Sequence, residues 1–213
     1  MKHFVVIANA YKDRNFALTN KIVAYIEQKG GTAKGLMSNV EAISDNEFEL
    51  EDIPQDTQCI LVLGGDGTLI RAATRVETLE IPLMGVNLGT LGYLCEVEEA
   101  TVFDAIDSLM ADKYMTEDRI MLTGHKRGTP NNAHNLTSKS IVLSGDDEIE
   151  IEILSRREQN DEMACVSYDG DTTAELAVGD RFVISKAANH TKICKLHQRS
   201  FLEILRKKMG NYS

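Results

Sequence analysis

The chain has 213 residues, and 33 acidic against 23 basic side chains give it a formal net charge of −10. That balance argues against general binding to nucleic acid or an anionic membrane, because a polyanion would meet a repelling field. The length suits one large or two small domains, and four scattered cysteines without Cys-x-x-Cys spacing read as reduced side chains of a cytoplasmic protein.

Phe4 to Ala8 is an apolar run that predicts a first buried strand. It is too short for a signal segment, Lys12, Asp13 and Arg14 follow at once, and no later stretch is long enough to span a membrane. Asn9 to Asn15 reads as a polar turn. From Phe16 to Lys29, Leu18, Ile22, Val23 and Ile26 recur at helical spacing, and Gly30-Gly31 stops the helix. Thr32 to Leu36 predicts a second strand. Ser38 to Thr57 is acidic and weakly patterned, a loop with at most a short helical turn.

Cys59 to Leu63 then forms a buried strand that runs straight into Gly64, Gly65, Asp66, Gly67 and Thr68. A helix is expected from Thr68, with Leu69, Ile70, Ala72 and Ala73. A strand ending in a glycine turn that opens a helix can cradle phosphate, since glycines admit close backbone approach and helix-terminal N–H groups face the anion. Asp66 repels phosphate, so it reads as a base or metal-linked group beside the cradle rather than part of it. No Gly-Lys-Ser/Thr follows, which excludes the Walker pattern. Arg71 and Arg75 follow in the helix, and Arg71 is a candidate phosphate partner. Ile81 to Val86 predicts another strand, and Asn87 to Tyr93 a second glycine-bearing turn, so two strand ends can line one cleft. Tyr93 is placed to stack on a flat ring or to pack as a half-buried side chain.

Residues 101–111 predict a helix, and Asp118-Arg119 a domain boundary. Residues 1–118 thus read as an α/β domain with a parallel, Rossmann-like or flavodoxin-like sheet, and 119–213 as an all-β domain with a C-terminal helix. Strands are expected at Ile120–Leu122, Ser140–Leu143, Ile149–Leu154, Ala164–Tyr168, Arg181–Ser185 and Thr191–Leu196. The closing helix has a capping box in Ser200 and Glu203 and a stop at Gly210. Five histidines show no ligand spacing, so no protein metal site is expected.

Gly64-Gly65-Asp66-Gly67-Thr68, followed by Asn87-Leu88-Gly89-Thr90-Leu91-Gly92-Tyr93-Leu94, resembles NAD kinase. The first motif is shared with diacylglycerol and sphingosine kinases and, more loosely, with phosphofructokinases; the second favours NAD kinase. Thr129-Pro130 to His134-Asn135-Leu136 is similar to the family's Thr-Pro…Pro-His-x-Leu stretch, with Ala133 replacing a proline, and Tyr168-Asp169-Gly170-Asp171 to its later Asp-Gly turn. In the family the strand after Arg119 leads to an Asn-Glu pair and, further on, a Thr-Gly-Ser-Thr-Ala-Tyr segment, and neither occurs in that part of this chain. The chain passes from Gly124 through His125, Lys126, Arg127 and Gly128 directly to Thr129, so the second domain reads as lacking a central block near 124–129.

The resemblance implies transfer of phosphate from ATP or polyphosphate to the 2′-hydroxyl of the adenosine ribose of NAD. Asp66 would be the catalytic base. Gly64, Gly65, Gly67 and Thr68 would cradle the donor phosphates. Asp66 and Gly67 would also touch NAD, with Arg71 and Tyr93 nearby and Asp171 at a later dinucleotide position. It further implies a divalent cation such as Mg²⁺ and a homodimer or homotetramer. Two other readings stay open: a catalytically impaired nucleotide-binding relative, and a lipid kinase of the diacylglycerol type.

Overall fold

The structure, a computed structural model, describes residues 1–38, 48–89, 92–127, 144–154, 163–169, 172–197 and 206. The chain divides into two compact units, one of Met1–Arg119 with Thr191–Ser213 and one of Ile120–His190.

The first unit holds β1 (His3–Asn9), α1 (Ala17–Gln28), β2 (Thr32–Ser38), β3 (Cys59–Gly64), α2 (Asp66–Arg75), β4 (Leu83–Asn87), β5 (Val97–Glu98) and α3 (Val102–Met110). The strands lie in the order β2-β1-β3-β4, every pairing parallel, with β5 also parallel to β4. The expected α/β architecture with a parallel sheet is present.

Continuous apolar strands follow from burial on both faces. Phe4, Val6 and Ala8 of β1 and Cys59, Leu61 and Leu63 of β3 face one core, completed by Leu18, Ile22 and Ile26 of α1 and Val102, Ala105, Ile106 and Leu109 of α3. Val5 and Ile7 with Ile60 and Val62 face the other, completed by Leu69, Ala72 and Ala73 of α2. Alternation along each strand thus feeds two layers of helix. The α1 and α3 layer is also stapled by polar groups: the Tyr25 hydroxyl donates to Asp107 Oδ2 at 2.9 Å, and Lys29 Nζ lies 3.0 Å from Asp107 Oδ1.

Several boundaries differ from the sequence expectation. The helix after the glycine turn begins at Asp66 rather than Thr68, which puts Asp66 in its first turn. The weakly patterned acidic stretch contains a 3₁₀ turn at Leu50–Asp52, and its residues 39–47 lie outside the described residues.

The described part of the second unit is built of strands, as expected. β6 (Met115–Arg127) and β10 (Arg181–Lys195) each carry the chain across the division between the units. β10 is one strand of 15 residues, where sequence reading gave two strands, Arg181–Ser185 and Thr191–Leu196. The intervening Lys186 to His190 is polar, which mimics a loop in sequence, yet nothing in it forbids extended backbone. β6 likewise extends well beyond Ile120–Leu122. β7 (Ile149–Glu152) pairs antiparallel with Arg181–Ile184 of β10, and β8 (Met163–Tyr168) forms an antiparallel pair with β9 (Thr172–Ala177), a strand the sequence did not mark. Arg181 is clamped by Glu150 at 2.8 Å and Glu152 at 3.1 Å. At its C-terminal end β10 lies in the first unit, where Ile193 pairs parallel with Leu83 of β4. The predicted strand at Ser140–Leu143 and the capping box of the closing helix lie outside the described residues.

Two outcomes test this packing. Leu61→Ala, at a fully buried position, is expected to lower unfolding stability by about 2–5 kcal/mol, while Lys21→Ala, at an exposed position of α1, changes it by less than about 0.5 kcal/mol; urea denaturation of both variants reads the difference. The hydrogen bonds of Asp107 with Lys29, and then Tyr25, hold its carboxyl below the ordinary carboxylate value. A depressed carboxylate stabilises the fold above that ordinary value, and the contribution disappears as pH falls through the folded value. Asp107→Asn is therefore expected to flatten the loss of stability below about pH 4, measured by thermal melting across an acid series.

Candidate active site

The site lies at the carboxyl ends of β1, β3 and β4, where open parallel sheets place their ligands. Gly64 ends β3 in register with Asn87 at the end of β4, and the Leu88 N–H donates to the Gly64 carbonyl at 2.7 Å. Gly65 is the N-cap of α2 in an extended conformation, so the chain turns directly into the helix. Asp66, Gly67 and Thr68 form the first turn, whose N–H groups have no acceptor within the helix.

The Asp66 side chain points at the second glycine-bearing turn. Its Oδ2 accepts from the Tyr93 N–H at 2.6 Å, and Oδ1 accepts from the Leu94 and Cys95 N–H groups at 3.1 and 3.3 Å. Three donors on one carboxylate fix both its position and its orientation. A carboxylate offers about four acceptor directions, so Oδ2 keeps capacity for one further hydrogen bond. Room for this contact depends on Gly92: a Cβ there would fall inside the Asp66 carboxylate, 2.6 Å from its carboxyl carbon. Beneath, a Cβ at Gly85 of β4 would lie 2.7 Å from Cys95 Sγ, so a glycine lets Cys95 seat against the strand. Burial, then the Asp66 charge, pushes the Cys95 thiol up to about 12, so it stays protonated and inert at neutral pH. The far end of the turn is braced by Glu96, whose Oε1 accepts from the His197 N–H at 2.9 Å.

The turn after β1 completes the site, and two of its residues escaped the sequence analysis. Asn9, 4% exposed, donates from Nδ2 to Thr68 Oγ1 at 3.3 Å, while its Oδ1 accepts from the Tyr11 and Lys12 N–H groups. Lys12 carries its ammonium over the glycines: a Cβ at Gly65 would lie 3.2 Å from Nζ, and one at Gly89 3.4 Å. Asp13 anchors this turn from below, accepting from the Leu18 and Thr19 N–H groups and the Thr19 hydroxyl. A polar residue closing a buried strand beside the glycine strand was the available signal for Asn9. Lys12 gave none, since its place depends on strand order.

Of the predicted site residues, Gly64, Gly65, Asp66, Gly67 and Thr68 are together. Gly67 is exposed, and a Cβ there would meet nothing within 4 Å. Arg71 sits half-buried on α2, one turn on from Gly67. Arg75 is directed to structure, with its guanidinium 5.1 Å from the Phe48 ring centre and 3.7 Å from Glu49. Tyr93 reaches the site through its backbone N–H. Asp171, Thr90 and Leu91 lie outside the described residues. Among the described residues no group of three or more His, Cys, Asp or Glu side chains is arranged to hold a metal ion.

Residues 4–114, more than half of the chain, match the family model described as the ATP-NAD kinase N-terminal domain. The chain belongs to the NAD kinase family. An NAD kinase of Agathobacter rectalis is 74% identical over 283 residues, a comparison covering 100% of both chains. An NAD kinase of Lachnoclostridium phytofermentans is 29% identical over 286 residues, covering 99% of this chain and 100% of the relative. The crystal structure of yeast NADH kinase complexed with NADH superposes with a TM-score of 0.74 at 13% identity, covering 100% of this chain and 88% of the other, a likeness of fold. The resemblance drawn from the two glycine-bearing stretches is borne out, and the lipid-kinase reading gives way. The alignment with the Agathobacter kinase runs over 283 positions against 213 residues here, so that relative carries residues with no counterpart in this chain.

Gly92→Ala is expected to force the second turn off Asp66 and cost about 1–3 kcal/mol through unsatisfied N–H groups. Thermal melting reads the loss, and amide exchange should show Tyr93, Leu94 and Cys95 losing protection together.

Proposed function

We propose that this chain is an NAD kinase that transfers the terminal phosphate of ATP to the 2′-hydroxyl of the adenosine ribose of NAD. The carrying observation is the Asp66 carboxylate, fixed by three backbone N–H groups with one acceptor direction left on Oδ2. Phosphoryl transfer needs positioning and charge stabilisation, with a group to orient and deprotonate the acceptor hydroxyl. In this reading the 2′-hydroxyl donates to Asp66 Oδ2. Its oxygen bonds to the terminal phosphorus as the bond from that phosphorus to the bridging oxygen breaks. ADP leaves, and the hydroxyl proton passes to Asp66. The N–H groups of Gly65, Gly67 and Thr68 at the head of α2 hold donor phosphate oxygens, with Gly64 setting the approach. Arg71, Tyr93 and Asp171 belong to the dinucleotide side. Polyphosphate is a second donor of the same chemistry.

A divalent cation such as Mg²⁺ fits this site as part of the donor. The carboxylate present is occupied by backbone donors, so phosphate oxygens and water would supply most of its ligands. The reading extends to a cytoplasmic enzyme, in keeping with buried free Cys59, Cys95 and Cys194. It also extends to a homodimer or homotetramer, supported by exposed apolar side chains such as Leu122 and Met163, each 64% exposed. We place the shortened segment of the second domain near 124–129.

A second reading, nucleotide binding without turnover, is favoured by one observation: the residues of the Agathobacter relative that this chain lacks. Both are tested by incubating purified protein with NAD, ATP and Mg²⁺ and reading NADP with an NADP-specific dehydrogenase. NADP formation is expected, and Asp66→Asn is expected to lower it by at least about a hundredfold while the variant stays folded by circular dichroism, at a somewhat lower melting temperature because its amide NH2 cannot accept a backbone N–H. Binding of NAD or ATP without NADP would establish the second reading, and equal turnover of Asp66→Asn would remove Asp66 as base.

A further inference from the structure

We propose that Lys12 is a phosphate-binding residue of this site, its ammonium holding the donor's phosphate chain between the turns that follow β3 and β4. The inference rests on the reading of the site as a kinase centre and adds to it a cation that the glycine motif does not contain.

Four observations carry it. The Lys12 backbone is fixed, its N–H donating to both the carbonyl and Oδ1 of Asn9, at 3.1 and 3.2 Å. Its side chain reaches across from β1, so that Nζ lies 3.2 Å from a Cβ built at Gly65 and 3.4 Å from one at Gly89. The ammonium therefore touches both strand-end turns at once, and any side chain at either glycine would crowd it. Among the described residues no carboxylate forms an ion pair with Lys12, although the chain carries 33 acidic residues. Its charge is nevertheless felt at the Cys95 thiol beside Asp66, which places the cation in the field of the reacting groups.

A chain of net charge −10 must offset its own field to take up a polyanion. A lysine suits that task here, because three rotatable donors on a flexible stem can follow a phosphate as charge shifts toward the leaving group. Lys12 also sits on the donor side, since the Asp66 carboxylate faces Tyr93 to Cys95 and Lys12 faces Gly65 and Gly89.

The test uses the full chain with two readouts. Inorganic tripolyphosphate is the first probe, titrated calorimetrically into the parent, Lys12→Ala, Lys12→Arg and the exposed α1 control Lys21→Ala. The expected result is binding by the parent, weakened about tenfold or more in Lys12→Ala, largely restored in Lys12→Arg and unchanged in Lys21→Ala, with all melting temperatures equal. The second readout is steady-state kinetics, in which Lys12→Ala raises KM for ATP by a similar factor and leaves KM for NAD within about twofold. Equal tripolyphosphate affinity in Lys12→Ala and parent overturns the proposal, as does a parent that does not bind tripolyphosphate. A parent that binds tripolyphosphate through Lys12 yet forms no NADP sinks the kinase reading and leaves the Lys12 assignment standing. A parent that forms NADP with a KM for ATP indifferent to Lys12 does the reverse.

Discussion

Asp66 joins two parts of the chain that are distant in sequence and adjacent in space. Its carboxylate takes the N–H groups of Tyr93, Leu94 and Cys95, and so ties the start of α2 to the turn beyond β4. The contact is possible only because Gly92 has no side chain and because Gly85 leaves Cys95 room to seat. A carboxylate held by three amides is oriented before any ligand arrives, which is what the role of base proposed for Asp66 requires. The contact is structural whatever the chemistry, and the proposed role of Asp66 as base would make its loss felt in both.

That clamp is only as rigid as the sheet beneath it. β1 and β3 are buried on both faces, between α1 and α3 on one side and α2 on the other. Tight packing on both faces leaves the strand ends little freedom, and the polar groups are collected at the carboxyl edge: Asn9 to Thr68, Lys12 over the glycines, Asp66 into the second turn. Every one of these contacts joins residues from different strand-end loops. The first unit, which contains them all, also contains the stretch that matches the family model.

The second unit has a different physical character. Its described strands expose Ile120, Leu122, Ile151 and Met163, and its polar ties include Arg127 with Glu150 at 2.7 Å between β6 and β7, and Lys126 of β6 with Asp180 at 2.6 Å in the turn before β10. The chain is shorter than its Agathobacter relative, and the Asn-Glu pair and Thr-Ala-Tyr segment that the resemblance leads one to expect after Arg119 are absent from that part of its sequence. The glycine turn of Gly64 to Thr68 thus lies wholly within the first unit, while the family segments that this sequence lacks would follow Arg119.

The sequence by itself determined the parallel α/β character of the first unit, because runs such as Cys59–Leu63 can be satisfied only by burial on both faces. It also determined the glycine turn, since residue type at consecutive positions decides what a backbone turn can do. The family was legible for the same reason, in two short local stretches. Tertiary structure alone decided what Asp66 touches, why Gly92 must be glycine and where the Lys12 ammonium lies, because each depends on strand order and register across many residues of chain. It decided as well that Arg75 packs on Phe48 and Glu49, and that β10 is one continuous strand through a polar stretch that sequence read as a break. Local pattern records which face a residue prefers. It carries no record of which distant backbone will supply the hydrogen bond.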